Sequence, residues 1–294
     1  MIFALLTALF WTGGSYSGSR VARVTDGPMA NGMRLLLSLM LWGGVVAIVP
    51  SISWPTFKGA GLFLLAGFLH QALGDNALYT SYQKIGPRIG ILFCMVSSVL
   101  GALFLEKLLI GGWPSLGQLL GMVTILLGAV LALAPKERFN LGKEAMKVGV
   151  PVAILAGLLQ ATGAVTARGA YLFADLPSGL EASLTPTFYR VLGSVVGLAL
   201  IGCFPLGSWL KRLKRTQGLG FLIVFSTLMG PCFGVFCYQA ALHRMNSGVV
   251  QSVICTLPLL MVPVTWALDG DRPSGRSVIG VIVAIGGMAL LLLE

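Results

Sequence analysis

The sequence predicts an all-α, polytopic membrane protein with ten transmembrane helices. Of its 294 residues, 56% are hydrophobic and only 10% are charged, whereas about a quarter of the residues in soluble domains carry a charge. Apolar stretches of about 20 residues, the length that crosses a bilayer, recur along the whole chain. The 39 glycines point the same way, because small residues allow membrane helices to pack closely.

Ten apolar stretches are long enough to span a membrane, and short connections separate them. The longest polar segment, residues 135–147, divides the chain into two nearly equal parts, 1–134 and 148–294. No connection is long enough for a soluble domain, so we expect a protein that lies almost wholly in the lipid bilayer. The predicted spans are 2–19, 29–49, 59–82, 87–105, 115–134, 148–173, 184–204, 218–240, 247–268 and 275–293.

The two halves share short motifs in the same order, which indicates an internal duplication. Because each repeat has an odd number of helices, the second repeat must enter the membrane in the opposite orientation. The predicted fold is therefore two inverted five-helix repeats, a plan in which the binding site lies near the midplane between the repeats. The matching positions are Thr12 and Thr162, Arg34 and Arg190, Glu106 and Asp269, and Gly121 and Gly280.

The third predicted helix carries a polar stripe through an otherwise apolar span. Gln71, Asp75, Tyr79 and Tyr82 are spaced four, four and three residues apart, so they share one helical face. Asp75 is the one acidic residue inside a predicted span, and a carboxylate in a bilayer must face protein or water. We expect this face to line an internal pathway in which Asp75 takes up a proton or pairs with a cationic group. Hydrogen bonding to a neighbouring helix is the alternative.

Four further polar residues are candidates for the same pathway. His70 precedes the stripe by one residue, about 100° around the helix, and either relays protons or hydrogen-bonds another helix. Trp11, Gln160 and Gln251 lie in the first, sixth and ninth stretches, which the duplication brings around one cavity. For these three residues, a role in substrate binding and a role in helix packing are both open.

Two arginines occupy equivalent places near the starts of the second and seventh predicted helices. We expect Arg34 and Arg190 mainly to reach towards the membrane interface or to pair with acids at helix ends. Anion binding is the alternative role for both side chains.

Motifs of other protein classes do not occur in the chain. No His-x-x-x-His, Asp-x-x-Asp or Glu-x-x-His sequence lies in or beside a span, so no catalytic residue, metal or cofactor is predicted. Gly-x-x-x-x-Gly-Lys-Ser/Thr is absent, and ATP is not expected to drive the protein. The five cysteines lie in apolar stretches, and we interpret them as buried and unpaired. A membrane enzyme acting on lipid and a passive channel remain alternatives to a transporter.

The net charge of +10 reflects basic loops rather than nucleic-acid binding. When loops are assigned alternately to the two faces, 15 basic residues lie on the face of loops 1–2, 3–4, 5–6, 7–8 and 9–10, and five lie on the other. The positive-inside rule places the richer face in the cytoplasm. Both termini are then predicted to be external.

Several short motifs resemble those of the drug/metabolite transporter superfamily, specifically its ten-helix EamA-type members. The resemblance covers nearly the whole chain. Two features depart from that pattern: Val96-Ser97-Ser98 stands where the family usually has a proline, and Asp269 stands where glutamate is commoner. The shared motifs are Trp11-Thr-Gly-Gly, the helix starts at Arg34 and Arg190, Ala77-Leu-Tyr, Thr256-Leu-Pro258, and the helix-end acids Glu106 and Asp269.

The resemblance implies a secondary active transporter rather than an enzyme. Such a protein exports a small polar metabolite such as an amino acid, by alternating access and with possible coupling to protons. It also implies a multi-pass protein of a bacterial inner membrane that works as a monomer or homodimer. The resemblance and the count of basic residues disagree about the termini, since members of this family usually keep both termini in the cytoplasm.

Overall fold

The computed structural model describes residues 1–50, 52–133, 143–202, 206–270 and 273–293, and its regular structure is entirely helical. The all-α prediction is therefore confirmed for these ranges. The α-helices are α1 (Ile2–Val24), α2 (Gly27–Ile48), α3 (Phe57–Gly67), α4 (Asp75–Leu109), α5 (Leu116–Leu133), α6 (Lys143–Tyr171), α7 (Leu184–Leu200), α8 (Leu206–Arg215), α9 (Leu219–Thr227), α10 (Val235–Arg244), α11 (Ser247–Ile254), α12 (Leu257–Asp269) and α13 (Gly275–Leu293). Two π-helical segments, π1 (Phe68–Gly74) and π2 (Leu228–Gly234), continue α3 into α4 and α9 into α10.

Seven stretches of the described chain are long and apolar enough to cross a membrane, which confirms a multi-pass membrane protein. One of them, Phe57–Leu109, is 53 residues long and contains two helices. The backbone breaks at Gly86, whose φ of 77° is readily adopted by glycine, and Pro87 disfavours a helical conformation at the residue before it. Neither α1 nor α7 is among the seven stretches, so the count of ten crossings stays a prediction.

Several helix boundaries differ from those predicted. The helix α6 begins at Lys143 rather than at 148, because its first turn is polar and extends beyond the apolar stretch; Lys147 donates a hydrogen bond to Glu144 there. The predicted linker 135–147 therefore contributes its last residues to a helix, while 135–142 lie outside the described residues. The span ends predicted at 134 and 204 lie outside them as well.

One amphipathic helix, α8, was not predicted. It lies where the sequence indicated a basic loop, and Trp209 anchors it to the bundle with only 1% of its surface exposed. The Trp209 ring packs so closely on Gly32 of α2 that a Cβ there would lie 2.1 Å from the ring. The absence of a side chain at Gly32 thus creates the seat for this tryptophan.

The ninth predicted helix is broken into α11 and α12. Its backbone leaves the helix at Cys255 and Thr256, and Pro258 occupies the second position of α12, where a missing N–H is tolerated. Four cysteines, which are Cys94, Cys232, Cys237 and Cys255, are buried and free, as predicted, and Cys203 lies outside the described residues.

Glycines bring several helix pairs into close contact. On α5 and α13, a Cβ at Gly128 would lie 2.6 Å from the carbonyl oxygen of Gly280. On α3 and α7, a Cβ at Gly67 would lie 1.8 Å from the carbonyl oxygen of Arg190. Only a residue without a side chain permits such an approach, so these contacts fix where α7 lies against α3.

The two halves of the chain share an unusual local structure. Both π1 and π2 are seven residues long, and they begin 160 residues apart. Each packs against the helix that carries one of the two equivalent arginines: Ser194 of α7 donates to the Gln71 side chain in π1, and Cys232 of π2 donates to Ser38 of α2. The π-helical segments therefore occupy corresponding places in the two halves.

Candidate functional site

A small cavity of about 50 Å³ lies between the two halves of the chain, at the level of the π-helical segments. Seven of the eight candidate residues from the sequence line it, and the eighth, Gln251, does not. The polar and aromatic residues in its wall are Trp11, Ser15, Arg34, His70, Gln71, Asp75, Tyr79, Tyr82 and Gln160. The remaining wall is apolar, with Leu78, Ile91, Met95, Val235 and Leu257.

A hydrogen-bonded chain joins the Asp75 carboxylate to the second half of the protein. Gln160 of α6 donates from Nε2 to Asp75 Oδ1 over 3.0 Å, and its Oε1 accepts a hydrogen bond from Cys94 Sγ over 3.4 Å. The Gln160 side chain is buried, and no ion pair between described residues includes Asp75. Asp75 is thus held by a neutral donor, which leaves its charge available to a ligand.

The π-helical segment brings His70 onto the same wall as Asp75. A π-helix bonds residues five apart, and the Asp75 N–H indeed donates to the His70 carbonyl. The sequence predicts an offset of about 100° between His70 and the stripe, and His70 nevertheless lines the same cavity as Gln71 and Asp75. His70 is buried, and its Nδ1 has no hydrogen-bond partner.

Aromatic rings form one end of the cavity. The Trp11 ring lies 5.8 Å from His70 and 5.0 Å from Tyr238, and His70 lies 5.5 Å from Tyr238, measured between ring centroids. Trp11 also approaches the backbone of Gly234 so closely that a Cβ there would lie 2.2 Å from the indole. The three rings therefore pack as a unit that separates the cavity from the residues beyond Tyr238.

The other members of the predicted stripe are placed as expected along the wall. The Gln71 side chain accepts a hydrogen bond from Ser194 over 3.1 Å, so its orientation is fixed by α7. Tyr79 and Tyr82 are both buried and contact each other edge to face, with centroids 5.6 Å apart. These residues line one cavity, and their functional roles stay predictions.

Gln251 lies away from the cavity. It donates to Ser98 over 2.5 Å and accepts from the Tyr238 hydroxyl over 3.1 Å. Both its donor and its acceptor are therefore engaged by neighbouring helices. These contacts favour the packing role, with an indirect effect on the cavity through Tyr238.

The sequence candidates omitted two polar residues of the cavity wall, Ser15 and the buried Arg34. Arg34 lies eight residues into α2, and its side chain is 6% exposed, too deep to reach the interface. Its guanidinium lies over the Tyr79 ring at 5.3 Å. The sequence does show an arginine inside an apolar stretch. Whether such a side chain reaches the membrane interface depends on its depth in the bilayer, which hydropathy does not give.

A larger cavity of about 480 Å³ adjoins the first and reaches the protein surface. The two share Ser15, Tyr82 and Ile91 as lining residues. The larger cavity, called the vestibule below, also carries the exposed side chains of Arg20, Arg23, Arg88 and Asp269. Asp269 accepts from the Tyr16 hydroxyl over 2.9 Å and pairs with Arg20.

The opposite side of the small cavity is closed by buried polar contacts. Glu106, 1% exposed, accepts from Arg168 Nε over 2.6 Å and from the Ser247 backbone N–H over 2.7 Å, and the Ser247 hydroxyl also donates to it. Arg168 donates in addition to the carbonyl oxygens of Leu242 and Met245. This group, called the clasp below, ties α4, α6, α10 and α11 together.

The family of the chain follows from a comparison with known sequences. The model of the EamA-like transporter family matches residues 1–134 and matches again at residues 147–293. The chain belongs to the EamA-like transporter family. The recognition made from the motifs is therefore confirmed, and the protein is a membrane transporter by family.

Individual relatives of this EamA-like transporter are distant. A UPF0060 membrane protein of Cupriavidus metallidurans strain CH34 is 32% identical over 102 residues, which are 34% of this chain and 95% of that protein. A crystal structure of another protein superposes with a TM-score of 0.75 at 15% sequence identity, covering 99% of this chain and 96% of that one. That likeness shows a shared fold over the whole length.

Proposed function

We propose that the protein is a secondary active transporter that exports a small polar metabolite, such as an amino acid, by alternating access. The observation that carries this proposal is the small cavity with Asp75 in its wall. It joins a vestibule on one side, while aromatic rings and the clasp close the other. A buried site that communicates with one face at a time is what alternating access requires.

Three observations support two inverted five-helix repeats, at 1–134 and 148–294 with a linker at 135–147. The family model matches the chain twice, and the relative of 102 matched residues is close to one repeat in length. The segments π1 and π2 also recur at corresponding positions. Ten membrane crossings follow if α1, α7 and both halves of Phe57–Leu109 cross.

The vestibule supports export. It opens on the face of loops 1–2 and 9–10, the face that carries the larger number of basic residues. If that face lies in the cytoplasm of a bacterium, as the positive-inside rule predicts, the described conformation accepts substrate from the cytoplasm. Both termini are then external to the inner membrane.

Asp75 is the proposed coupling and binding residue. In a cavity without another acid among the described lining residues, its carboxylate either pairs with a substrate amine or takes a proton when the cavity is empty. Proton coupling follows if the two events exclude each other. A monomer, or a homodimer of two such units, is consistent with one cavity per chain.

The experiment that tests the proposal is a metabolite profile of the growth medium from cells that overexpress the protein. Selective accumulation of one compound class with the wild type, lost with Asp75→Asn at equal membrane expression, is expected. Glu144→Gln is the control, since Glu144 is an exposed acid outside the cavity. Accumulation that survives Asp75→Asn contradicts the role of Asp75, and unchanged media across all compound classes contradict export.

Counterflow in proteoliposomes separates the carrier from a channel. A carrier preloaded with unlabelled substrate takes up labelled substrate transiently above equilibrium, whereas a pore does not. We expect counterflow, because the clasp and the aromatic rings leave no continuous passage through the described part of the chain.

A further inference from the structure

We propose that Arg34 and Arg190 are two successive binding positions for one carboxylate group of the substrate. Arg34 holds the group while the vestibule is open, and Arg190 holds it when the opposite side opens. The inference rests on the proposed transport function and deepens it, since it names a small monocarboxylate, zwitterionic if its amine meets Asp75, as the substrate class.

The first position is the Arg34 guanidinium in the cavity wall. It takes part in none of the ion pairs between described residues, and its Nε has no hydrogen-bond partner. Its NH2 nitrogen would lie 3.0 Å from a Cβ placed on Gly230, so a larger residue there would crowd the guanidinium. Arg34 thus contributes a buried charge to the cavity wall, and its Nε is an unused donor beside Gly230.

The second position lies beyond Tyr238, on the closed side. Arg190 is completely buried, with its guanidinium 4.8 Å from the centre of the Tyr238 ring. Its NH1 donates to Gln239 Oε1 over 3.0 Å, but Nε and NH2 have no partner, and neither has Gln239 Nε2. Arg190 and its neighbour Gln239 therefore hold three donors without a hydrogen-bond partner at the closed side.

The two positions correspond in the duplicated chain. Arg34 and Arg190 precede their serines, Ser38 and Ser194, by four residues, and each serine contacts the π-helical segment of the neighbouring helix. Arg34 lies over Tyr79, five residues after π1, and Arg190 bonds Gln239, five residues after π2. If the repeats exchange conformations, Arg190 acquires the exposure to the cavity that Arg34 has now.

A buried guanidinium without an ion-pair partner is costly, and for Arg34 and Arg190 the electrostatic attraction of Asp75 offsets only part of the desolvation. A ligand carboxylate removes that cost and fits the planar fork of the guanidinium with two parallel hydrogen bonds. A phosphate dianion fits less well, since Asp75 in the same wall repels the second charge. One guanidinium and one carboxylate in the wall instead match a group with opposite charges at its two ends.

The vestibule is also suited to a carboxylate. It holds three arginines, Arg20, Arg23 and Arg88, against the single acid Asp269 among its described lining residues. An excess of positive charge along an entrance raises the local concentration of anions. Basic side chains therefore lie both in the vestibule and, at Arg34, in the small cavity.

The test measures the melting temperature of the full-length protein in lipid nanodiscs against rising concentrations of sodium propionate. Propionamide, the uncharged analogue, and sodium chloride at equal ionic strength are the comparison solutes. We expect propionate alone to stabilise the wild type. Arg34→Gln and Arg190→Gln should each weaken the apparent affinity about tenfold, the loss of a charged hydrogen bond, and the double variant should not respond.

The controls are Arg212→Gln and Arg244→Gln, exposed arginines that line neither cavity, which should respond as the wild type does. If a glutamine variant is not monodisperse, the lysine variant replaces it, since it keeps the charge but loses the paired hydrogen bonds. An unweakened response of that lysine variant overturns the proposal for its position.

Three other outcomes also overturn it. A double variant that still responds removes both positions, and a complete loss in Arg34→Gln alone removes Arg190. Stabilisation by inorganic phosphate but not by propionate overturns the carboxylate class. A failure of the proposed transport function gives a different result: propionate stabilises the protein as expected, but no compound accumulates in the medium. Accumulation of a compound without any response to propionate contradicts this inference alone.

Discussion

At the scale of single residues, one hydrogen bond connects the two halves at the cavity. Gln160 belongs to the second half and donates to Asp75 of the first. The carboxylate therefore has a neutral donor that orients it without cancelling its charge. A change in the relative position of the halves must lengthen or break this bond, which makes Gln160 a sensor of the conformation as well as a part of the wall.

Replacement of Gln160 by methionine keeps the volume of the side chain and removes its donor. We expect the export rate to fall about tenfold, because a hydrogen bond to a charged group contributes about 1.5–3 kcal/mol. The measurement is the accumulation of the exported compound at equal membrane expression. Thr162→Val is the matched control, since Thr162 on the same helix donates only to the Leu158 carbonyl of that helix. Equal export by Gln160→Met and the control contradicts the role.

The spacing of the third helix predicted its polar wall correctly, because side chains three and four residues apart share a helical face. The sequence also named His70 as a candidate for this wall, although nothing in the local composition indicates the π-helical segment that contains it. It did not place Arg34 at the cavity. Whether an arginine reaches the interface depends on its depth in the bundle, and that depth is set by tertiary packing.

At the scale of helices, glycines decide which elements touch. Gly287 of α13 faces α5 so closely that a Cβ would lie 2.8 Å from the Gly121 carbonyl oxygen, whereas a Cβ on Gly286 would meet nothing within 4 Å. Adjacent residues of one helix thus have opposite tolerance for a side chain. The sequence predicted that Gly121 and Gly280 occupy equivalent positions, but not which glycines of the two helices are in contact.

Gly286 and Gly287 allow the same substitution to be compared at a packed and at an open position of one helix. Gly287→Val should lower the free energy of unfolding by about 1–3 kcal/mol, the usual cost of overpacking, and reduce the yield of monodisperse protein. Gly286→Val carries the same change of composition and should leave both nearly unchanged. Thermal unfolding in detergent, followed by size-exclusion chromatography, measures the difference. Similar losses in both variants would show that α5 and α13 do not pack in this way.

The amphipathic helix α8 escaped prediction because a search for apolar stretches detects only helices that are apolar all round. Its one deep contact is Trp209 against Gly32. We expect Trp209→Ala to destabilise the protein by about 3–5 kcal/mol, as for other buried large-to-small changes. Leu210→Ala, at the exposed next position, should have little effect on the melting temperature. Equal melting temperatures of the two variants would place α8 away from the bundle.

At the scale of the whole molecule, two ion pairs mark opposite ends of the pathway. The clasp between Glu106 and Arg168 is buried and also bonded to Ser247, whereas Asp269 and Arg20 form a pair exposed to the vestibule. The sequence predicts that Glu106 and Asp269 correspond in the two halves. In the described conformation, the contacts at the Glu106 end are therefore buried, whereas the ion pair at the Asp269 end is exposed.

Weaker contacts at the Glu106 end and weaker contacts at the Asp269 end should shift the conformation in opposite directions. Glu106→Gln weakens the clasp and should slow maleimide labelling of a cysteine placed at Ser15, which faces the vestibule, because more molecules close that side. Asp269→Asn should accelerate the labelling. Each change is expected to be several-fold, since 1.4 kcal/mol corresponds to a factor of ten. The background carries Cys203→Ser, the other cysteines being buried.

Glu144→Gln serves as the control for charge alone and should leave the labelling rate unchanged. A shift in the same direction for Glu106→Gln and Asp269→Asn would contradict opposed closures at the two ends.

The position of Asp75 determines how many carboxylates lie at this place in the two halves. It follows π1 directly, and the corresponding residue after π2 is Val235. Two identical half-length subunits would necessarily place two carboxylates around their shared axis, with the mutual repulsion that brings. A single fused chain escapes that constraint and carries one. If Asp75 exchanges a proton with the substrate, as proposed, this place contributes at most one proton per transport cycle.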